Sequence, residues 1–387
     1  PVLLWKTRSS PTMKSEEGLK ALLSKRRFNI EREVELEFPH LPPGCSIQMD
    51  RLAKDYVLEN IRTNLRNLRQ QLVDRLETFQ TESGRPLRFA DFIRYHDYEP
   101  EKLLANCSWS EWKARARMVD PPRDPDLKRL RAGLIRVCQT NGPRELQKLR
   151  QTILELQSGR IKQALASAGD DALRIHYRLW GSSGRDLGIA TLQDSFKLLA
   201  RNPTVLADLL EIIEWAVTES RVGGDLAELP FRCPFELHAQ YGSDDIKAGL
   251  GKATLESAGE RGVGVLHFQE LKAYALLITF QKTEHEFSPS TMYAEYPISR
   301  DLLHWESQSG TSQNSKTGRN LIHHVERGYT ILIFARDVKK RDGLAVPFTF
   351  LGPATRVSYQ SERPIQMVWR LTHPLPAEMF EENRRGA

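Results

Sequence analysis

GGDLAELPFRCPFELHAQ, residues 223–240, is the stretch where the chain changes texture. On its N-terminal side, apolar residues recur at the three-to-four-residue spacing of helices. On its C-terminal side, short runs of β-branched and aromatic residues alternate with Gly, Asp, Asn and Pro. The switch in period predicts an α+β chain, in which an all-helical part precedes a β-rich one.

Upstream, Gly18–Phe28 is a short helical candidate, and the three prolines and Gly44 of FPHLPPGCSI (38–47) forbid a helix and mark a fixed junction. Asp50 is placed to cap a long helix striped by Leu52, Val57, Ile61, Leu65, Leu68, Leu72, Leu76 and Phe79. Such a stripe serves as a packing face within a bundle or as a coiled-coil partner site. Further helices are expected at Phe89–Tyr95, Ser110–Met118, Asp126–Cys138, Pro143–Leu156 and Leu192–Ser220, with starts marked by Ser110, Asp126 and Pro143. Their Lys and Arg residues read first as a solvated face and second as a phosphate track.

Downstream, strands are expected at Phe235–Gln240, Val263–Phe268, Tyr274–Gln281, Tyr329–Arg336, Phe348–Tyr359 and Ile365–Leu371, with one short helix at Asp244–Gly251. Six or more strands with few helices point to a curved sheet or a closed or nearly closed barrel. Neither GRDLG (184–188) nor GKAT (251–254) carries the full pattern of a phosphate loop.

Within the β-rich part, FSPSTMYAEYPISRDLLHWESQSGTSQNSKTGR (287–319) sets Phe287, Tyr293, Tyr296, His304 and Trp305 among hydroxyls and amides. Flat rings beside hydrogen-bonding groups suit the reading of a planar heterocycle by stacking and by edge contacts. The competing reading is a β-rich loop whose rings fill a core. His304 and Trp305 are adjacent, so on an extended backbone they point to opposite faces and one of them can be core. Ser307 and Gln308 are candidate edge-readers, or a loop satisfying its own backbone. Ser288 and Ser290 flank Pro289 in a turn, where hydroxyls ordinarily cap. Lys316, Arg319 and Arg327 are candidate phosphate contacts, which supply affinity and register rather than sequence choice. Lys339, Lys340 and Arg341 precede a turn at Asp342–Gly343 and read better as solvated.

The 387 residues suffice for two or three domains, and 40% hydrophobic content supplies real cores. The net charge of +6 is compatible with nucleic-acid contact without demanding it. From Phe231 onward, 19 Lys and Arg face 18 Asp and Glu, so the basic excess lies outside the aromatic segment. That argues against a simple electrostatic glove there. Cys45, Cys107, Cys138 and Cys233 are scattered without metal-ligand spacing, as in a reduced, cytoplasmic protein. The paired His323 and His324 lack the partners of a metal site, and Glu284, Glu286 and Glu295 lack nuclease spacing. No signal-peptide pattern or long apolar run is seen, and a first residue of Pro1 suits a piece of a longer protein.

Several segments resemble one family. IEREVELEFPHLPPGCSI (30–47), with the Leu-rich helix after it, is similar to the region behind the motor core in a group of bacterial superfamily 2 helicases. FELHAQYGSDDIKAGLG (235–251), GVLHFQELKAYALLITFQKTEHEFSPSTMYAEYPISRDLLHWESQS (264–309) and FTFLGPATRVSYQSERPIQMVWRL (348–371) resemble their C-terminal domain of unknown function 3427. The resemblance runs from about Ile30 to Pro376. It implies a full-length parent that joins a phospholipase D-like nuclease, a helicase motor and this region, similar to type IV, modification-dependent restriction enzymes of anti-phage defence.

On that resemblance, residues 1–45 end the motor region, 46–222 form a helical coupling domain, and 223–387 form a recognition domain. The last is expected to be a pseudo-barrel like the SET-and-RING-associated domains, which flip bases out of duplex DNA. The partners implied are double-stranded DNA carrying methylated or hydroxymethylated cytosine and the parent's helicase and nuclease domains, with a homodimer as a further option. No Walker loop, DEAD/DEAH box, arginine motif or HxK motif is present, so this chain is expected to be no enzyme and to hold no cofactor. ATP and Mg²⁺ would belong to the parent's motor. The family's HWQSQS reads HWESQS here, and the Glu306 carboxylate favours a donor such as a cytosine amino group. Two other functions stay open: a protein-interaction or dimerisation module, and a sensor of another change such as phosphorothioate or glucosylated bases.

Overall fold

A computed structural model describes residues 69–260, 264–282 and 295–384, and shows a helical region followed by a multi-stranded sheet. Most of the long helix from Asp50, the proline-rich junction, Ser288 and Tyr293 lie outside the described residues. The described residues within 76–339 and 346–384 form one compact unit; the described residues 69–75 and 340–345 belong to a second.

The helices of the larger unit, after a helical stretch at 76–83, are α1 (Phe89–His96), α2 (Pro100–Asn106), α3 (Trp109–Arg115), α4 (Leu127–Cys138), α5 (Pro143–Gln157), α6 (Ile161–Ala168), α7 (Ala172–Trp180), α8 (Gly184–Leu187), α9 (Leu192–Ala200) and α10 (Pro203–Glu219). The single helix expected over Leu192–Ser220 is two, because Pro203 opens α10 and cannot continue α9. α3 is capped by Ser108 rather than Ser110, in a reciprocal box with Glu111. Ser110 instead gives its N–H and Oγ–H to the buried Asp208 carboxylate at 3.0 and 2.5 Å, tying α3 to α10. Gly133 lets α4 lie against α7: a Cβ there would stand 2.3 Å from the Leu179 carbonyl oxygen.

The remaining elements are β1 (Gln240–Tyr241), α11 (Ser243–Gly249), β2 (Val265–Phe268), β3 (Ala273–Thr279), β4 (Tyr296–Pro297), β5 (Leu302–Glu306), α12 (Lys316–Ile322), β6 (Thr330–Arg336), β7 (Lys340–Arg341), β8 (Leu344–Ala345), β9 (Phe348–Gln360), β10 (Gln366–Leu371) and α13 (Ala377–Asn383). β7 and β8 pair as a hairpin in the second unit. The others form a sheet in the order β2-β3-β6-β9-β10-β5-β4, with β1 beside β9. Among the described residues β3 and β6 run parallel and the other sheet pairs are antiparallel. The path is open, so the barrel expectation is corrected to a layered sheet. Its cause is legible in β3 and β6, whose residues are buried on both faces and therefore need cover on both.

One core, under α12 and α13, gathers Tyr274, Leu276, Trp305, Leu321, Ile333 and Trp369; the other, under α11, gathers Phe235, Tyr241, Ile246, Leu277, Phe334 and Phe350. β9 serves both halves of the sheet, pairing with β6 and β1 early and with β10 late. It changes course at Gly352, whose φ of +82° and close approach to Leu237 and His373 leave no room for a side chain. The strand expected at Phe235–Gln240 shrinks to its last residue and Tyr241, because His238 takes a positive φ.

The helices and the sheet are joined by buried charge. Arg174 and Arg178 on α7 share Glu145 of α5 at 2.6 and 2.8 Å, and Arg178 also meets Asp245 of α11 at 3.0 Å. Asp171 closes the set on Arg174 at 3.1 Å. Glu236, after the texture change, accepts the N–H groups of Arg144 and Glu145 at the start of α5. Among the described residues no helix is long and apolar enough to cross a membrane.

Candidate nucleic-acid interface

β5 was not among the expected strands, yet its alternation decides the fate of the aromatic segment. Leu303 and Trp305 point into the core; Leu302, His304 and Glu306 point away and are half-buried. Trp305 is only 2% exposed and meets Trp369 edge-on, with centroids 6.3 Å apart. Its expected contact with a base is therefore corrected: the indole fills the core. Ser307 is likewise interior. Its Oγ accepts the Ile365 N–H at 2.8 Å and its own N–H donates to the Ile365 carbonyl at 2.9 Å, pinning the end of β5 to the start of β10. Gln308 is exposed.

The outward side chains form rows set by the pairing register. Tyr296, His304, Val368 and Ser358 stand opposite one another across β4, β5, β10 and β9. The Tyr296 and His304 rings stack at 4.7 Å and 12°. The next row runs Glu306, Gln366, Gln360. Gln366 donates to Glu306 at 3.0 Å and accepts from Gln360 at 2.9 Å. A ring pair beside a carboxylate and two amides on one sheet face is a surface able to stack on a base and read its edge. In the sequence, the stretch that carries Ser288 and Tyr293 lies between Lys282 and Glu295. Lys282 and Glu295 form a buried pair at 2.8 Å, and Glu295 also accepts the Thr279 N–H. Burial pushes the Glu295 carboxyl above its ordinary value, against the pull of the Lys282 ammonium.

The expected phosphate contacts lie elsewhere. Lys316 and Arg319 are exposed on α12, whose N-cap Ser315 accepts the Gly318 N–H at 3.0 Å. Arg327 is held through Nε, which donates to Asn320 Oδ1 at 2.8 Å; Asn320 Nδ2 donates in turn to the Tyr274 hydroxyl at 3.0 Å. Tyr274 stacks on His267 at 4.4 Å and 12°, with Tyr329 5.3 Å away. That places this group by β2, β3 and β6, on the α12 side of the sheet, whereas Tyr296 and His304 lie at the β4 edge on the other side. The cluster of His267, Tyr274 and Tyr329 escaped sequence reading because each residue sat in an ordinary strand pattern. His324 is buried, donating from Nδ1 to the Tyr329 carbonyl and accepting the Arg356 N–H on Nε2, so it is a core histidine. A cleft of about 320 Å³ lies over the helix–sheet charge network, lined by Arg144, Lys148, Arg174, Arg232 and Cys233 among others.

Residues 235–382 match a domain of unknown function, DUF3427. The DUF3427 match begins at Phe235, the anchor of the α11-side core, and ends within α13, so it takes in the whole sheet and leaves out α1–α10. No curated protein matches the chain.

Proposed function

We propose that the DUF3427 sheet reads double-stranded DNA carrying a modified cytosine, methylated or hydroxymethylated, by stacking the base against the Tyr296–His304 face. The observation that supports this most is the half-exposed ring pair, one row away on the same face from Glu306, Gln366 and Gln360. Base extraction costs a few kcal/mol, offset by stacking and edge contacts. Glu306 suits the amino group of cytosine as acceptor. Tyr293 and Ser288 belong to the same proposal through their place between Lys282 and Glu295. The likeness to SET-and-RING-associated domains enters as a mode of action, since the sheet here is open. In this reading the helical part couples recognition to the motor and nuclease of a longer cytoplasmic restriction enzyme, where ATP and Mg²⁺ act. The chain alone is expected to show neither ATPase nor DNA cleavage, and turnover co-eluting with the pure protein would overturn that part.

Each stacked ring is worth roughly 1–3 kcal/mol. Replacing Tyr296 or His304 by Leu keeps bulk but removes the flat face. It should weaken binding to modified duplex about tenfold and leave salt-sensitive binding to plain duplex unchanged, because phosphates supply the latter. Paired titrations of modified and unmodified duplex measure this. An unchanged affinity ratio in both variants would refute the base-reading face.

A further inference from the structure

The cluster around Tyr274 has features that strand packing does not require. Arg327 is exposed, yet its guanidinium is fixed by a relay of two buried side chains, Tyr274 to Asn320 to Arg327. Lys316 stands one helical turn before Asn320 on α12, and residues four apart share a helix face. Lys316 thus sits on the side of α12 from which Arg327 is held. Beside them, His267 lies flat on Tyr274, and its Nε2 is enclosed without a hydrogen-bond partner among the described residues. The charges that act on His267 are Lys316 and Lys252, both positive. The exposed Lys316 ammonium and the oriented Arg327 guanidinium fork have one ligand chemistry in common, and the enclosed His267 ring is placed to report on their occupancy. They take an oxyanion, and a fixed guanidinium favours one with two oxygens to offer.

We propose that Arg327 and Lys316, with His267 beside them, form a phosphate site on the α12 side of the sheet, with Tyr274 and Asn320 as positioning residues. The source of the phosphate is a DNA backbone, a choice that rests on the proposed DNA reading; the site itself does not. Its position makes it a grip on the duplex independent of the Tyr296–His304 face, so it sets affinity and leaves discrimination alone.

The test follows the His267 imidazole by NMR in the full chain while inorganic phosphate, and separately an unmodified duplex, is added. An anion at the site should shift the His267 signals and raise its titration midpoint. In parallel, Arg327→Ala should weaken plain-duplex binding about tenfold, lower the slope of log affinity against log salt by about 0.9, and leave the modified-to-plain ratio unchanged. Asn320→Asp, which keeps the side chain's size, checks that the relay carries the effect. It should strengthen the hold on Arg327 and draw the guanidinium from the anion, lowering plain-duplex affinity in the same sense. Thermal melts confirm that each variant is folded. A His267 response to both probes supports the site and its DNA source, whereas a response to phosphate alone supports the site and overturns DNA as the source. No response to either overturns the proposal. If Tyr296→Leu leaves the affinity ratio unchanged while Arg327→Ala lowers plain-duplex binding, the base-reading face fails and the phosphate site stands.

Discussion

At the scale of single residues, two buried groups give stability opposite dependences on pH. Burial pushes the Asp208 carboxyl up to about 6, although Ser110 donates two hydrogen bonds to it and Lys113 is near. Its contribution is complete below the ordinary carboxylate value and is lost as pH rises through about 6. Burial lowers His176 to about 4, with Nδ1 on Ser195 Oγ at 2.7 Å and Nε2 on the Ser182 carbonyl at 3.0 Å. Its contribution is complete above the ordinary imidazole value and is lost as pH falls toward about 4. Each is worth about 3 kcal/mol at about 1.4 kcal/mol per pKa unit, and between pH about 4 and 6 their slopes cancel. Asp208→Asn should therefore expose a stability that rises with pH across this window, and His176→Gln one that falls. Urea unfolding of the three proteins at several pH values measures both slopes. Parallel profiles would show that neither group titrates with folding.

At the scale of elements, β5 and β10 are fixed by Ser307 as much as by their ladder. Ser307→Ala leaves the buried Ile365 N–H without its acceptor and should cost roughly 1–3 kcal/mol. Denaturant unfolding reads the loss, and a change under half a kcal/mol would mean another acceptor takes over. Legibility in the sequence differed by element for physical reasons. α4, α5 and α10 carry one apolar face, and their spacing was readable. α7 was missed although Arg174 and Arg178, four apart, give it a polar face, because it is only nine residues long and that face is buried against Glu145 and Asp245 rather than solvated. β5 and α12 were hidden because the Ser, Thr, Gly, Asn and Pro spread through residues 287–319 break any sustained period of 2 or 3.6. Of that segment, the opposition of His304 and Trp305 followed from strand alternation alone. Which of them faces inward depended on Trp369 and Ile331, residues distant in sequence. The pairing of Arg327 with Asn320 and Tyr274 depends on contacts between α12 and β3, which no local pattern encodes.

At the scale of the whole molecule, the texture change near Gly223 falls inside one compact unit, because Glu145, Arg174, Arg178 and Asp245 tie helices to sheet across it. Glu145→Ala would leave two buried guanidinium groups short of a partner and should destabilise by roughly 3–5 kcal/mol. Hydrogen-exchange protection of the helix amides and of the β6, β9 and β10 amides should then be lost together at a lower temperature. Separate transitions would show that the two parts unfold independently. The parallel pairing of β3 with β6 has a further effect during synthesis. Residues 280–329 must be made between the two strands, which takes roughly 3–10 s at ribosomal rates. Throughout that interval a nascent β3, apolar on both faces, has β2 at its side and lacks β6, its other partner among the described residues. A chain arrested before Thr330 carries an open, sticky edge, and translation past that residue is what removes it.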